Sequence, residues 1–188
     1  ERYREIWLQN YITRAPRVFD SMVMGNLRQG ASFFASTCLI AIGGGMALIG
    51  NREQLLGIAE DLSLEDAPDI IWDAKILLIL LFLANALFKF IWSYRLFGYC
   101  LIVMGAAPND EGKAAYHRAD QAAHIANSAA RSFNRGLRAV YFALAAAAWT
   151  GFTGAESHLT TGLVCSVLAV GTHSLLILFL IVTGRVLR

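Results

Sequence analysis

The chain has 188 residues, 56% of them hydrophobic and 16% charged, with a mean hydropathy of +0.50. It is richer in apolar residues and poorer in charge than an ordinary soluble domain, which points to lipid. A net charge of +2, with no basic cluster interleaved with stacking aromatics, argues against a nucleic-acid partner.

The first 29 residues carry Arg2, Arg4, Arg14, Arg17 and Arg28 and show no signal-peptide pattern. Residues 30–50, GASFFASTCLIAIGGGMALIG, are free of charge over the roughly 20 residues that cross a hydrocarbon core, and form the first predicted span. The loop to Lys75 holds Glu53, Glu60, Asp61, Glu65, Asp66, Asp69 and Asp73 against Arg52 and Lys75. Residues 76–97 form the second span, apolar up to Lys89. Pro108, Asn109, Asp110 and Glu111 then signal a helix start, and Ala-rich sequence runs on without a breaker to Gly136, giving a predicted helix over 109–136. Residues 139–155 are a shorter, Ala-rich third span, so that it and the preceding helix read as one rod of about 40 residues, roughly 60 Å long. Residues 159–184 are the fourth span, interrupted only by His173 and followed by Arg185 and Arg188.

Charge fixes an orientation for these spans. The acidic loop and the short loop near Glu156 fall on one side. The basic residues before span one, the group Lys113, Arg118, Arg131, Arg135 and Arg138, and the terminal arginines fall on the other, which the positive-inside rule makes cytoplasmic. The expectation is an all-α integral membrane helical bundle: a single domain of about four transmembrane helices, the third with a long cytoplasmic extension, in the bacterial inner membrane.

Lys89 and Arg95 need compensation inside that frame. Counted from Ile76 at 1.5 Å per residue, Lys89 lies about 20 Å and Arg95 about 28 Å along a core about 30 Å thick. Both could lift their charges to the headgroups. Helical spacing offers another reading, because Asn85, Lys89 and Ser93 recur at i, i+4 and i+8 and share one face. Span one has a polar stripe of its own in Gln29, Ser32 and Ser36, and Thr172 and His173 lie deep in span four. Polar groups in lipid need partners, so these stripes should turn towards neighbouring helices. Arg131, Asn134, Arg135 and Arg138 lie at i, i+3, i+4 and i+7, and with Arg28 and Arg95 they could form a ring of guanidinium groups at the inner membrane surface. Asp20 is the one obvious acid nearby, so an anion would be attracted. The alternative is a collar that touches lipid phosphates nonspecifically.

Three ordered blocks carry a family resemblance: GNLRQGASFFAST (25–37), FKFIWSYRLFGYC with MGAAP (88–108), and FNRGLRAVYFALAAAAW (133–149). Over about residues 17–155 the chain resembles an uncharacterised membrane family, domain of unknown function 599. The resemblance implies a multi-pass helical protein and brings no activity, cofactor or catalytic residue with it. It also implies a hydrophobic segment ahead of the first block, which would make five spans and place the true N-terminus outside.

Other chemistry finds little support. Cys38, Cys100 and Cys165 lie far apart in apolar stretches and form no pair. A haem clamped between helices needs two histidines at similar depth, and only His173 is deep; His117 and His124 are two turns apart, too far to share a metal unaided. Gly43, Gly44 and Gly45 fit close helix packing, with exposed carbonyls for an ion as the other reading. No hydrolase, zincin or phosphate-loop pattern is present, so an enzyme is unsupported and no catalytic residue, metal or cofactor is expected.

Two functions follow. The first is binding or permeation of a small anion or anionic lipid headgroup at a basic site facing the cytoplasm. Lys89 and Arg95 would be its charge donors, Arg28, Arg135 and Arg138 its collar, and Asn85, Ser93, Ser32 and Ser36 its neutral partners. The second is a non-catalytic accessory or assembly subunit that docks larger membrane complexes through small-residue helix faces and the cytoplasmic helix; a foreign partner would favour it, whereas a homo-oligomer with a polar path would favour permeation.

Overall fold

The computed structural model describes residues 1–51, 57 and 69–151. Within them the chain forms four α-helices and no strand: α1 (Arg2–Asn10), α2 (Val18–Gly50), α3 (Asp69–Gly105) and α4 (Lys113–Gly151). The fourth predicted span, His173, Cys165, the loop near Glu156 and most of the acidic loop lie outside the described residues. The described residues fall into two units, 1–44 with 83–140 and those of 45–82 with 141–151, and α2, α3 and α4 contribute to both.

The first unit is a bundle whose core repeats every three and four residues. Ala86, Phe90, Ser93, Phe97, Cys100 and Met104 are the buried positions of α3 in this unit, and Ala115, Ala119, Ala122, Ala126 and Ala129 are among those of α4. On α2, Met24, Ala31 and Cys38 are buried at intervals of seven. Such a 3.5-residue spacing keeps one seam of each helix against its neighbours. The small α4 side chains let α3 approach closely. Ser93 Oγ donates to the Ala129 carbonyl at 2.9 Å, and Cys100 Sγ bonds the Ala122 carbonyl at 3.3 Å. At Gly136 an added Cβ would lie 2.7 Å from the Phe90 ring, which itself stacks on Phe34 and meets Phe133 edge-on.

The amino-terminal 17 residues complete this unit. Leu8, Tyr11 and Ile12 enter the core formed by Met24, Ala31, Phe97, Cys100, Met104 and the α4 alanines. Asn127 of α4, almost fully buried, accepts from Arg4 at 2.7 Å and donates to Glu5 at 2.9 Å. The Tyr11 hydroxyl donates to the Met104 carbonyl at 2.8 Å. Asp20, fully buried in the first turn of α2, accepts from the Trp7 indole at 2.6 Å and pairs with Arg14. Arg17 lies over the Tyr11 ring and donates to the carbonyls of Ile12 and Pro108. The α3–α4 turn is thereby tied to the segment before α2.

In the second unit, Gly45 packs against the Leu80 side chain, and the Phe82 and Phe142 rings lie 5.8 Å apart.

Several boundaries differ from those read in the sequence. α2 begins at Val18, ahead of the predicted span from residue 30, and α3 runs to Gly105, past the predicted span that ends at residue 97. The helix expected at 109 starts at Lys113. Pro108 to Gly112 form a turn, with the Gly112 carbonyl accepting from the amides of Ala115 and Tyr116, so Asp110 and Glu111 precede the helix. From there α4 runs unbroken for 39 residues, close to the expected rod.

Candidate functional site

α2 and α3 are each long and apolar enough to cross a membrane. Only 6% of the most apolar stretch of α2, and 22% of that of α3, is buried within the protein. A core helix of a soluble domain would be largely covered, so this exposure is in keeping with a membrane surrounding.

The polar stripe of α3 faces α4. Ser93 is fully buried and uses its hydroxyl on α4, while Lys89 and Asn85, one and two turns away, are half-buried. Directly across the close contact of Phe90 with Gly136 sits Arg135, also half-buried and near enough to act on Lys89 as a like charge. Among the described residues neither cation makes a hydrogen bond or an ion pair. The packing of Phe90 on Gly136 thereby sets two positive groups on facing stretches of α3 and α4.

The remaining arginines are distributed around the bundle. Arg28 reaches from α2 to α3, its guanidinium 4.5 Å over the Tyr94 ring and bonded to the Tyr94 hydroxyl at 2.5 Å, and its buried Nε has no acceptor. Arg95 is exposed and donates to the Tyr99 hydroxyl one turn on, at 3.1 Å. Arg131 pairs with Glu1 at 2.7 Å and bonds Ser128, and its guanidinium holds the Glu1 carboxyl below the usual range. Arg138 and Ser36 are exposed, and Ser32 is half-buried. Asp20, read as the countercharge of an arginine ring, is engaged by Arg14 and Trp7 instead. The structure thus sets Lys89 and Arg135 on facing stretches of α3 and α4, brings Arg28 to Tyr94, and places Arg95 elsewhere. Among the described residues no group of three or more His, Cys, Asp and Glu side chains could hold a metal.

The Arg95 position was open to detection beforehand: six residues from Lys89 is one and two-thirds helical turns, which puts the two on different faces. The role of Arg14 had a signal in its closeness to Asp20 in the chain, but nothing in the sequence marked Glu1 as the partner of Arg131.

The model of a family described as Protein of unknown function, DUF599, matches residues 1–173. No curated protein and no solved structure matches the chain.

Proposed function

We propose that this chain, which belongs to the DUF599 family, is a multi-pass membrane protein that binds a small anion or an anionic lipid headgroup between α3 and α4. Lys89 and Arg135 supply the charge. Ser93 fixes the helix pair beside them, and Asn85 and Ser32 offer neutral donors. The buried, unpaired Nε of Arg28 marks a second point of unmet donor capacity on the α2 side of α3. The alternation of acidic and basic loops supports placement in a bacterial inner membrane with the basic side cytoplasmic.

The observation that carries this reading is the Lys89–Arg135 pair, two half-buried cations with no carboxylate on either among the described residues. The test is thermal unfolding of the detergent-solubilised chain against phosphate, sulfate and phosphatidylglycerol, in wild type and Lys89→Met. A bound anion at a hundredfold excess over its Kd should stabilise the wild type by about 2.7 kcal/mol. The variant should fold and lose that response. An identical response in both proteins rejects the site, and the three ligands separate a free anion from a headgroup.

The exposed polar residues of α4, Arg118 and His124 among them, support the accessory-subunit reading. A stoichiometric foreign subunit retained through mild-detergent purification would select it.

A further inference from the structure

α3 carries a second stripe outside the bundle core. Phe88, Trp92, Arg95, Tyr99 and Ile102 recur at steps of four and three and therefore share one face. The four uncharged members are between 46% and 68% exposed, so this face is left largely open by the described residues. Arg95 is the one charged residue in the stripe. It is steadied by the Tyr99 hydroxyl at 3.1 Å, and its other guanidinium donors have no acceptor among the described residues.

A guanidinium set in an apolar strip, with a phenol on one side and an indole on the other, matches the chemistry of a lipid headgroup region. The planar fork takes two phosphate oxygens at once, and tyrosine and tryptophan favour the level where hydrocarbon meets water. We propose that this stripe seats an anionic phospholipid. Its phosphate lies on Arg95, with the Tyr99 hydroxyl and the Trp92 indole N–H as neutral donors. Its acyl chains lie against Trp92 and Phe88, where α3 runs into its uninterrupted apolar stretch. The proposal rests on the membrane reading but not on the Lys89–Arg135 site, which occupies another face of the helix. A second copy of the chain fits this face poorly. A self-complementary contact would bring two Arg95 groups together, and the stripe holds no carboxylate to compensate them.

The test places the full chain in phosphatidylcholine vesicles containing a varied fraction of phosphatidylglycerol brominated on its acyl chains. The chain has four tryptophans, so the fluorescence difference between wild type and Trp92→Phe isolates the quenching of Trp92. Half-quenching of Trp92 is expected at about a tenfold lower fraction of brominated lipid in wild type than in Arg95→Gln. Arg95→Lys should fall between, because a lysine is a point charge without the fork. Equal quenching in wild type and Arg95→Gln overturns the proposal, as does quenching abolished by inorganic phosphate, which would mark a free-ion site. An unquenched Trp92 in a chain that floats with the vesicles also overturns it and leaves the membrane reading intact. A chain that does not float removes the membrane reading as well.

Discussion

Replacing Gly136 with alanine tests whether α3 and α4 are packed as closely as the geometry states. The new Cβ would lie 2.7, 2.9 and 3.0 Å from Cε1, Cζ and Cδ1 of Phe90, where carbon atoms prefer about 3.5 Å or more. The ring has little room to yield. Phe90 is fully buried, stacked on Phe34 with centroids 5.3 Å apart and set against Phe133 at 5.4 Å. Overpacking of this kind costs about 1 to 3 kcal/mol. Alanine in a helix interior returns about 1 kcal/mol relative to glycine, so the net loss is up to about 2 kcal/mol. Gly25→Ala supplies the control, since nothing lies within 4 Å of its added Cβ and only the propensity gain remains. Thermal unfolding in one detergent should therefore place Gly136→Ala below Gly25→Ala by the overpacking cost alone, about 1 to 3 kcal/mol. Phe90→Leu introduced into Gly136→Ala should recover part of the difference. Equal stability of the two alanine variants would refute the close approach.

Burial pushes the Tyr11 hydroxyl above its ordinary value, against the opposing charge of Arg17. Its protonated form is therefore favoured by folding: the contribution is complete below about pH 10 and is lost as the pH rises through the folded-state value. Tyr11→Phe should cost about 1 kcal/mol at neutral pH and flatten the alkaline limb of a stability–pH profile; an unchanged limb contradicts the role of the hydroxyl. Asp20→Ala removes the acceptor shared by Trp7 and Arg14, and at the lower end of the range for a broken buried pair it should cost about 3 kcal/mol. It should also speed tryptic cleavage at Arg14 and Arg17, and unaltered cleavage would count against the clasp.

The apolar helices and the facing of the α3 stripe were legible because both rest on composition and period. Residues 30–50 and 76–97 fall within α2 and α3, and Ser93, placed on a protein-facing side by its spacing from Lys89, is fully buried. The long rod was legible from the unbroken Ala-rich run, and its seam could have been found in the steps of four and three from Ala115 to Ala129. α1 was not. Nine residues with three charges form a helix here because Leu8, Tyr11 and Ile12 reach a core built from residues far along the chain. The start of α4 was misread because Asp110 and Glu111 suit a first helical turn, while the chain uses them in a turn held by Arg17 on the Pro108 carbonyl. The arginines were read as one ring since a linear sequence gives depth more readily than direction around a helix.

The alanine ladder of α4 has a consequence for how the helix pair finds its alignment. Identical small steps repeated along a rod accept a sliding neighbour at every heptad, so the ladder alone would tolerate α3 displaced by seven residues. Uniqueness comes from the features that do not repeat: the Ser93 and Cys100 donors, seven residues apart, and one large ring seated on one glycine. After a slip of one heptad just one of the two donors could still face Ala122 or Ala129, and Phe90 would meet the methyl group of Ala129 or Ala143 instead of Gly136. The pair behaves as a vernier, in which coarse marks permit many positions and a few odd ones select a single alignment.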